Sequence, residues 1–506
     1  MSPYKILLGL VLVASAGLLA GVAYDTVNRP ELTFEPVREP SALDDTGPIW
    51  SAAAEAASVA CNDATTLPRR WMVFGWDGVD WQFVLPLLRQ GRLPHLESLL
   101  RNGAYGSLAS IVPTLSPAIW TTVATGRTPG DHQILHFYNQ RPILERWWQR
   151  LTNLGALERQ LYTNADRRNR AVWNLLSEYD RSVMLVGYHN TFPVEPVNGL
   201  MVSNYLMQDS VARAMEMDSG GSGDSSTLAA GLVHPPDKLD EVLDLQRKVN
   251  GRIPHVIDEF VGLSETERND FLRASRRLNP DTDQKPYFLV HAWVFDTIVA
   301  EIADEFLGRS QPDLAMVHFQ AADWASHRFL YYRAPELYED MDWSEETRSR
   351  LDADSERYRD TVDAFYVYLD RWLGKLLEHR ADDTGVLLLS DHGFAADTDP
   401  DIPGGHDHAP PGIVVLHGPG IRPGKIDGAT VYDVLPTLMA SMDLPLAEDL
   451  PGAPLVQAFC DGAYDPTTQE TVDSYGSGTP YVPTVSKPDE LDQELLQQLR
   501  SLGYID

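Results

Sequence analysis

Four short runs of almost nothing but apolar residues decide what kind of fold is open to this chain. They are Trp71-Met72-Val73-Phe74, Val183-Met184-Leu185-Val186, Leu314-Ala315-Met316-Val317 and Val386-Leu387-Leu388-Leu389. Each is bounded by Gly, Asp or Pro and is too short for a helix, so the runs read as strands buried on both faces. A further strand, Ile413 to Leu416, follows a loop rich in Gly and Pro. Helical patterns fall between the runs, at Pro94 to Arg101, Arg170 to Glu178 and the long, charged stretch Glu345 to His379. Strands that alternate with helices predict an α/β fold, an open and mostly parallel sheet flanked by helices.

Ahead of this pattern, Ile6 to Tyr24 is a 19-residue run without a charge, long enough to cross a bilayer as a helix. It predicts an exported protein. Residues 1–24 are then a transmembrane anchor, favoured by the unbroken continuation through Leu18, Leu19 and Val22, or a signal segment cleaved near Ala14-Ser15-Ala16. Lys5 on the inner side places the bulk of the chain on the periplasmic or extracellular side, and cleavage would make it secreted. Residues 25–66 read as a tether with one short helix, Ala52 to Ala60, residues 67–460 as the main domain, and 461–506 as a C-terminal extension. Within the main domain, about 207–286 carries two polar helices, Asp237 to Asn250 and Ser264 to Arg277, and few strands, which predicts an insertion capping a site. Cys61 and Cys460 either pair in an oxidising compartment or stay as isolated buried thiols, and their spacing fits no zinc motif.

Charge narrows the ligand. Asp and Glu (73) outnumber Lys and Arg (41), a formal charge of −32 that repels nucleic acid polymers and anionic head groups. A small anionic substrate would need the field reversed locally, and bound divalent cations are the usual device.

Acidic and histidine residues fall just past the C-terminal ends of the buried runs, where open α/β sheets bind ligands. Asp77 follows the first, Asp323 and His327 the third, and Asp391-His392 the fourth; Gly404-Gly405-His406-Asp407-His408 adds two more histidines. Asp and neutral His without thiolates suit zinc or a similar divalent ion, and two such ions can clamp a phosphoryl group. Taken singly, each has a plainer reading: Asp77-Gly78 as a strand-end turn, Asp323 and His327 as an ion pair one helical turn apart, either loop histidine as solvated. Ser116-Pro117 reads as an N-cap followed by Pro at the first helical position. A hydroxyl there also sits where backbone N–H groups attract an anion, and a bound metal would activate it as a nucleophile.

The order Asp77, Ser116, Asp323-x-x-x-His327, Asp391-His392, His408 resembles the alkaline phosphatase superfamily, and within it the type I phosphodiesterase/nucleotide pyrophosphatase branch. The likeness runs from about Trp71 to Leu446 and rests on FGWDGVD, PTLSPAIWTTVATGRTPGDH, EPVNGLMVSNYL, LLLSDHGF and HAPPGIVVLHGPGI, with ELLQQLRSLGYI similar to endings in the group. The resemblance implies two divalent metal ions, zinc or manganese. Asp323, His327 and His408 would hold one, and Asp77, Asp391 and His392 the other together with the Ser116 hydroxyl. His408 is preferred to His406 because its distance to Gly412 matches the family spacing; Ser116 stands where the branch has its threonine nucleophile, with Thr114 as the alternative. The implied activity is cleavage of a small phosphodiester through a phosphoserine, with a phosphomonoesterase or phosphotransferase, for which Arg127 or His136 would supply the extra donor, and a non-catalytic phospho-ligand binder as the other readings. Phe137 stands where nucleotide-cleaving members carry a phosphate-contacting Asn, with Asn139 two residues on, which argues against nucleotides. No Cys-x-Pro-x-Arg motif is present, which argues against a sulfatase.

Overall fold

The computed structural model describes residues 36–37, 41–43, 61, 66–142, 157–207, 228–276, 283–406, 408–477 and 489–501. The Ile6 to Tyr24 run and the Ala52 to Ala60 helix lie outside the described residues.

All five apolar runs are strands of one nine-stranded sheet. In chain order the strands are β1 (Arg70–Trp76), β2 (Ala104–Leu108), β3 (Val183–Val186), β4 (Gly199–Val202), β5 (Val233–His234), β6 (Leu314–Phe319), β7 (Thr384–Leu389), β8 (Gly412–His417) and β9 (Gly424–Lys425). Across the sheet they lie β9-β2-β8-β7-β1-β6-β3-β4-β5. The centre is parallel, β1 pairing with β6 and β7 and β3 with β6 and β4. Only β8 and β5 are reversed against their neighbours. β1, β3, β6 and β7 are buried almost throughout, as residues covered by helices on both faces must be.

The helices that matter for the site are α1 (Trp81–Arg89), α2 (Ser116–Thr125), α3 (Lys285–Leu307), α4 (Ala321–Arg333), α5 (Thr361–Leu377) and α6 (Asp489–Ser501). α3 is long and apolar enough to cross a membrane, yet it is buried inside the protein, its residues part of the main core. The stretch Glu345 to His379 is not one helix but three, Glu345–Ala353, Ser355–Tyr358 and α5. At the start of the last, Thr361 Oγ1 donates to the Phe260 carbonyl at 2.7 Å.

Two expectations about outlying segments change. The region about 207–286 does not cap the site among the described residues. Its β5 extends the sheet edge and its Val242, Leu245, Val249, Phe260 and Phe271 are buried in the same core as the sheet. Its two helices cover Leu239–Asn250 and Glu265–Ala274, with Ser264 capping the second by accepting from Glu267 N. Within 461–506, the described helix α6 is packed into the main domain. Leu495 and Leu496 of α6 are buried in the main core, and Cys460, at the boundary, forms a disulfide with Cys61 (Cα–Cα 5.4 Å).

Candidate metal centre

The carboxyl ends of the parallel strands deliver the predicted residues to one place. Asp77 follows β1, Asp323 lies in the first turn of α4 just past β6, and Asp391-His392 follow β7. Gly78 makes the turn after Asp77 possible: its φ is +72°, and a Cβ there would stand 2.6 Å from the Phe394 ring and 2.9 Å from the Asp323 Cα. β1 and α4 thereby approach more closely than any side chain would allow.

Ser116 is the first residue of α2, with Leu115 rather than Ser116 in the cap position and Pro117 next. Its hydroxyl caps nothing. Ser116 Oγ lies 3.4 Å from Asp77 Oδ1 and 3.3 Å from His392 Nε2. Thr114, the alternative nucleophile, meets the site through its carbonyl, which faces His406.

The ligand atoms of Asp77, Asp391 and His392 all lie within 4.8 Å of one another, and so do those of Asp323, His327 and His406. The second histidine of the latter group is His406, not His408. Gly404 and Gly405 pair with Ala395–Ala396, and Gly404 packs where a Cβ would stand 2.3 Å from the Ser326 carbonyl, so the chain brings His406 straight to α4. His408, two residues on, is exposed at φ 59°.

Hydrogen bonding fixes what these histidines offer. Each donates Nδ1–H to a main-chain carbonyl: His327 to Gly404 (2.8 Å), His392 to Gly393 (3.0 Å) and His406 to Thr114 (3.3 Å). A carbonyl only accepts, so Nδ1 carries the proton and Nε2 keeps its lone pair. Those lone pairs face carboxylate oxygens: His406 Nε2 is 3.3 Å and His327 Nε2 3.7 Å from Asp323 Oδ1, and His392 Nε2 is 3.4 Å from Asp391 Oδ2. Burial, then the neighbouring His406, pushes His327 well below the usual imidazole value and His392 to about 4, so adding protons is not the remedy. Acceptors facing acceptors in a buried site are suited to a cation. Asp391 Oδ2 is buried and accepts no hydrogen bond. Burial, and then the charges of Asp77 and Asp323, push the Asp391 carboxyl well above its ordinary value, a cost that a cation would remove. The donor set fits divalent metal ions.

Sequence reasoning missed the other half of the Asp77 environment. Asp77 Oδ2 accepts from Trp120 Nε1 at 2.9 Å and lies 3.3 Å from His189 Nε2 and 3.6 Å from His318 Nε2. Burial opposes ionisation of Asp77, yet His189, His318 and His392 hold its carboxyl well below the ordinary range. His189 lies just past the end of β3, so the strand-end rule that found Asp77 would have found it. His318 sits inside β6, one residue past the apolar run, and reads as core.

A cleft opens beside Ser116, Asp77 and Asp323, lined also by the amides of Asn190, Asn204, Gln320 and Gln498. Phe137 lines it too; the Asn139 side chain lies outside the described residues. Arg127 does not line it. Its guanidinium is held by the Asp449 carboxylate and carbonyl and by Ser474, so it cannot supply charge to a bound phosphate. His136 is likewise absent from the lining, its ring packed against Tyr138.

The helix that carries Asp323 and His327 is anchored from α3. Asp296, fully buried, accepts from Gln320 N (2.8 Å) and Ala321 N (3.0 Å), two otherwise unpaired donors at the start of α4. Burial, with a smaller push from Asp77, raises its carboxyl to about 8. The folded state therefore keeps a proton that the unfolded chain has released, and this group's contribution to stability falls as pH rises from about 4 to about 8. Asp296→Asn is expected to lower Tm most at pH 5 and progressively less towards pH 8; a constant difference across that range would contradict this linkage.

Residues 71–404, more than half of the chain, match the family described as type I phosphodiesterase / nucleotide pyrophosphatase. No curated protein sequence matches. Among solved structures, a putative sulfatase from Bacteroides thetaiotaomicron is similar over 77% of this chain and 74% of that one, at 13% identity and a TM-score of 0.41. Murine ectonucleotide pyrophosphatase/phosphodiesterase 5, an inactive variant in complex with AMP, is similar over 74% and 95%, at 10% identity and a TM-score of 0.40. Phosphonoacetate hydrolase from Sinorhizobium meliloti, in complex with phosphonoformate, is similar over 65% and 57%, at 12% identity and a TM-score of 0.35. Likenesses this distant carry no argument about the site; the family match agrees with an open α/β sheet that gathers aspartates, histidines and the buried Ser116 hydroxyl at its carboxyl edge. The chain belongs to the type I phosphodiesterase/nucleotide pyrophosphatase family and is a hydrolase acting on phosphoric ester bonds.

Proposed function

We propose that this protein is an exported, metal-dependent phosphodiesterase that works through a phosphoserine at Ser116. The observation that carries the reading is the set of histidine Nε2 lone pairs, fixed by Nδ1–H bonds to carbonyls and turned towards buried carboxylates, with the Ser116 hydroxyl 3.3 Å from one of them. Asp323, His327 and His406 would hold one divalent ion, and Asp77, Asp391 and His392 the other. Such ions supply positive charge for the phosphoryl oxygens and lower the pKa of a neighbouring hydroxyl.

The remaining work falls to the chain. Ser116 Oγ forms the new bond to phosphorus, the ester oxygen departs as the alcohol, and water then cleaves the phosphoserine and restores the hydroxyl. Trp120 and His189 hold the Asp77 carboxylate in place from its far side. Among the described residues the cleft lining carries no lysine or arginine. That favours the singly charged diester over the more highly charged monoester. Export is supported by the uncharged run Ile6 to Tyr24 and by the Cys61–Cys460 disulfide, a bond that persists in oxidising compartments.

The test is the purified chain loaded with zinc or manganese and assayed on bis-p-nitrophenyl phosphate and p-nitrophenyl phosphate. We expect kcat/KM for the diester to exceed that for the monoester by at least about tenfold. The reverse ratio would make the protein a monoesterase, and bound metal without turnover of either would make it a binder.

A further inference from the structure

The lining of the cleft beside Ser116 is of two kinds. Asp77, Asp323, His189 and Gln320 are polar groups of the metal centre and its surroundings. Much of the rest is carbon: Leu161 and Tyr162 from the chain before β3, Tyr205 after β4, Trp324 of α4, and Leu495 and Leu499 of α6, nearly three hundred residues beyond Tyr205 in sequence. α6 is firmly seated. Leu495 and Leu496 are each 7% exposed within the main core, the helix packs on the strand Leu157–Leu161, and buried Gln498 donates Nε2–H to the Tyr287 hydroxyl of α3 at 2.6 Å. Leu499, half-buried, turns to the cleft. The groups able to meet the part of a substrate lying away from phosphorus are thus aliphatic, aromatic or neutral amide. A second phosphate or a charged sugar would meet no lysine or arginine among the described lining residues.

We propose that α6 forms an apolar subsite for one ester group of the substrate, and that this group is uncharged hydrocarbon, alkyl or aryl, rather than a charged nucleotide or sugar phosphate. The proposal rests on the phosphodiesterase reading above and adds the substrate class. α6 is then the specificity-determining element, the part expected of the 207–286 insertion, none of whose described residues from Leu228 onwards lines the cleft. Apolar contact favours binding in proportion to the carbon surface removed from water, so each added methylene should register.

The test keeps the leaving group constant. The full metal-loaded chain is assayed on methyl and hexyl p-nitrophenyl phosphate, and methyl- and hexylphosphonate are titrated into it calorimetrically. The hexyl ester is expected to show a kcat/KM at least about tenfold above the methyl ester, with hexylphosphonate binding at least about tenfold more tightly than methylphosphonate. Leu499→Gln should collapse both ratios to within about twofold, while Leu499→Met, similar in volume and apolar, should keep them. Wild-type ratios near one would overturn the subsite, and ratios that survive Leu499→Gln would overturn the role of α6. If no diester is hydrolysed at all, the phosphodiesterase reading fails on its own, and the phosphonate titrations still decide the subsite.

Discussion

Ser116→Ala is expected to lower kcat on bis-p-nitrophenyl phosphate by on the order of a thousandfold or more, while Tm stays close to that of the unaltered protein. The size follows from what is removed. Ser116 is 1% exposed, and its hydroxyl lies between Asp77 and His392. The small effect on stability follows from what is kept. Leu115 holds the cap position of α2, and the Ser116 side chain makes no cap hydrogen bond, so the helix loses no partner. The check is steady-state kinetics beside acid quench and mass spectrometry, which should find a p-nitrophenyl phosphoryl group on Ser116 in the wild-type protein and none in the variant. A phosphorylated Thr114 would move the nucleophile two residues back, and full turnover by Ser116→Ala would remove the covalent step.

The core of the fold was legible because burial on both faces leaves a mark that a single sequence carries: β3 spans the same four residues as its apolar run, and β1, β6 and β7 extend theirs by two or three. The strand-end rule then located Asp77, Asp323, Asp391 and His392, because polar residues at the end of a buried run must go somewhere specific. Two parts of the site were less legible, for different reasons. Spacing to Gly412 favoured His408, but the loop's path is set by how closely Gly404 packs against the Ser326 carbonyl, a contact between positions far apart in sequence. Leu495 and Leu499 of the cleft lining come from the far end of the chain, and a helix of composition DELDQELLQQLRS shows its apolar stripe without showing what that stripe will cover. His189 lies three residues past the end of β3, a position that the strand-end rule covers. Arg127 was misjudged because charge is visible in a sequence and its partner, Asp449, is not.

Replacing one carboxylate from each donor group should separate the two ions. Asp391→Asn and Asp323→Asn are each expected to reduce bound zinc from two ions per chain to about one, and to lower diesterase kcat/KM by on the order of a hundredfold or more. The donor sets make the losses distinct. Asp391 belongs with Asp77 and His392 beside Ser116, so Asp391→Asn should also abolish trapped phosphoserine. Asp323 belongs with His327 and His406, so its loss should leave the Ser116 side intact while the other ion goes. His406→Ala should behave like Asp323→Asn, whereas His408→Ala, altering an exposed residue, should retain both ions. Stability offers a second readout with a definite sign. Without metal, Asp391 is buried with the Asp77 and Asp323 charges nearby, a repulsion that Asp391→Asn relieves, so the metal-free variant should melt at or above the metal-free wild type. Zinc should then raise the Tm of the wild type by more than that of the variant, because binding to the folded state stabilises it in proportion to occupancy of each site. Equal zinc content and equal zinc-dependent shifts in all four variants would mean that these residues hold no ion. A loss confined to His408→Ala would mean that the loop turns its other histidine inward when metal binds.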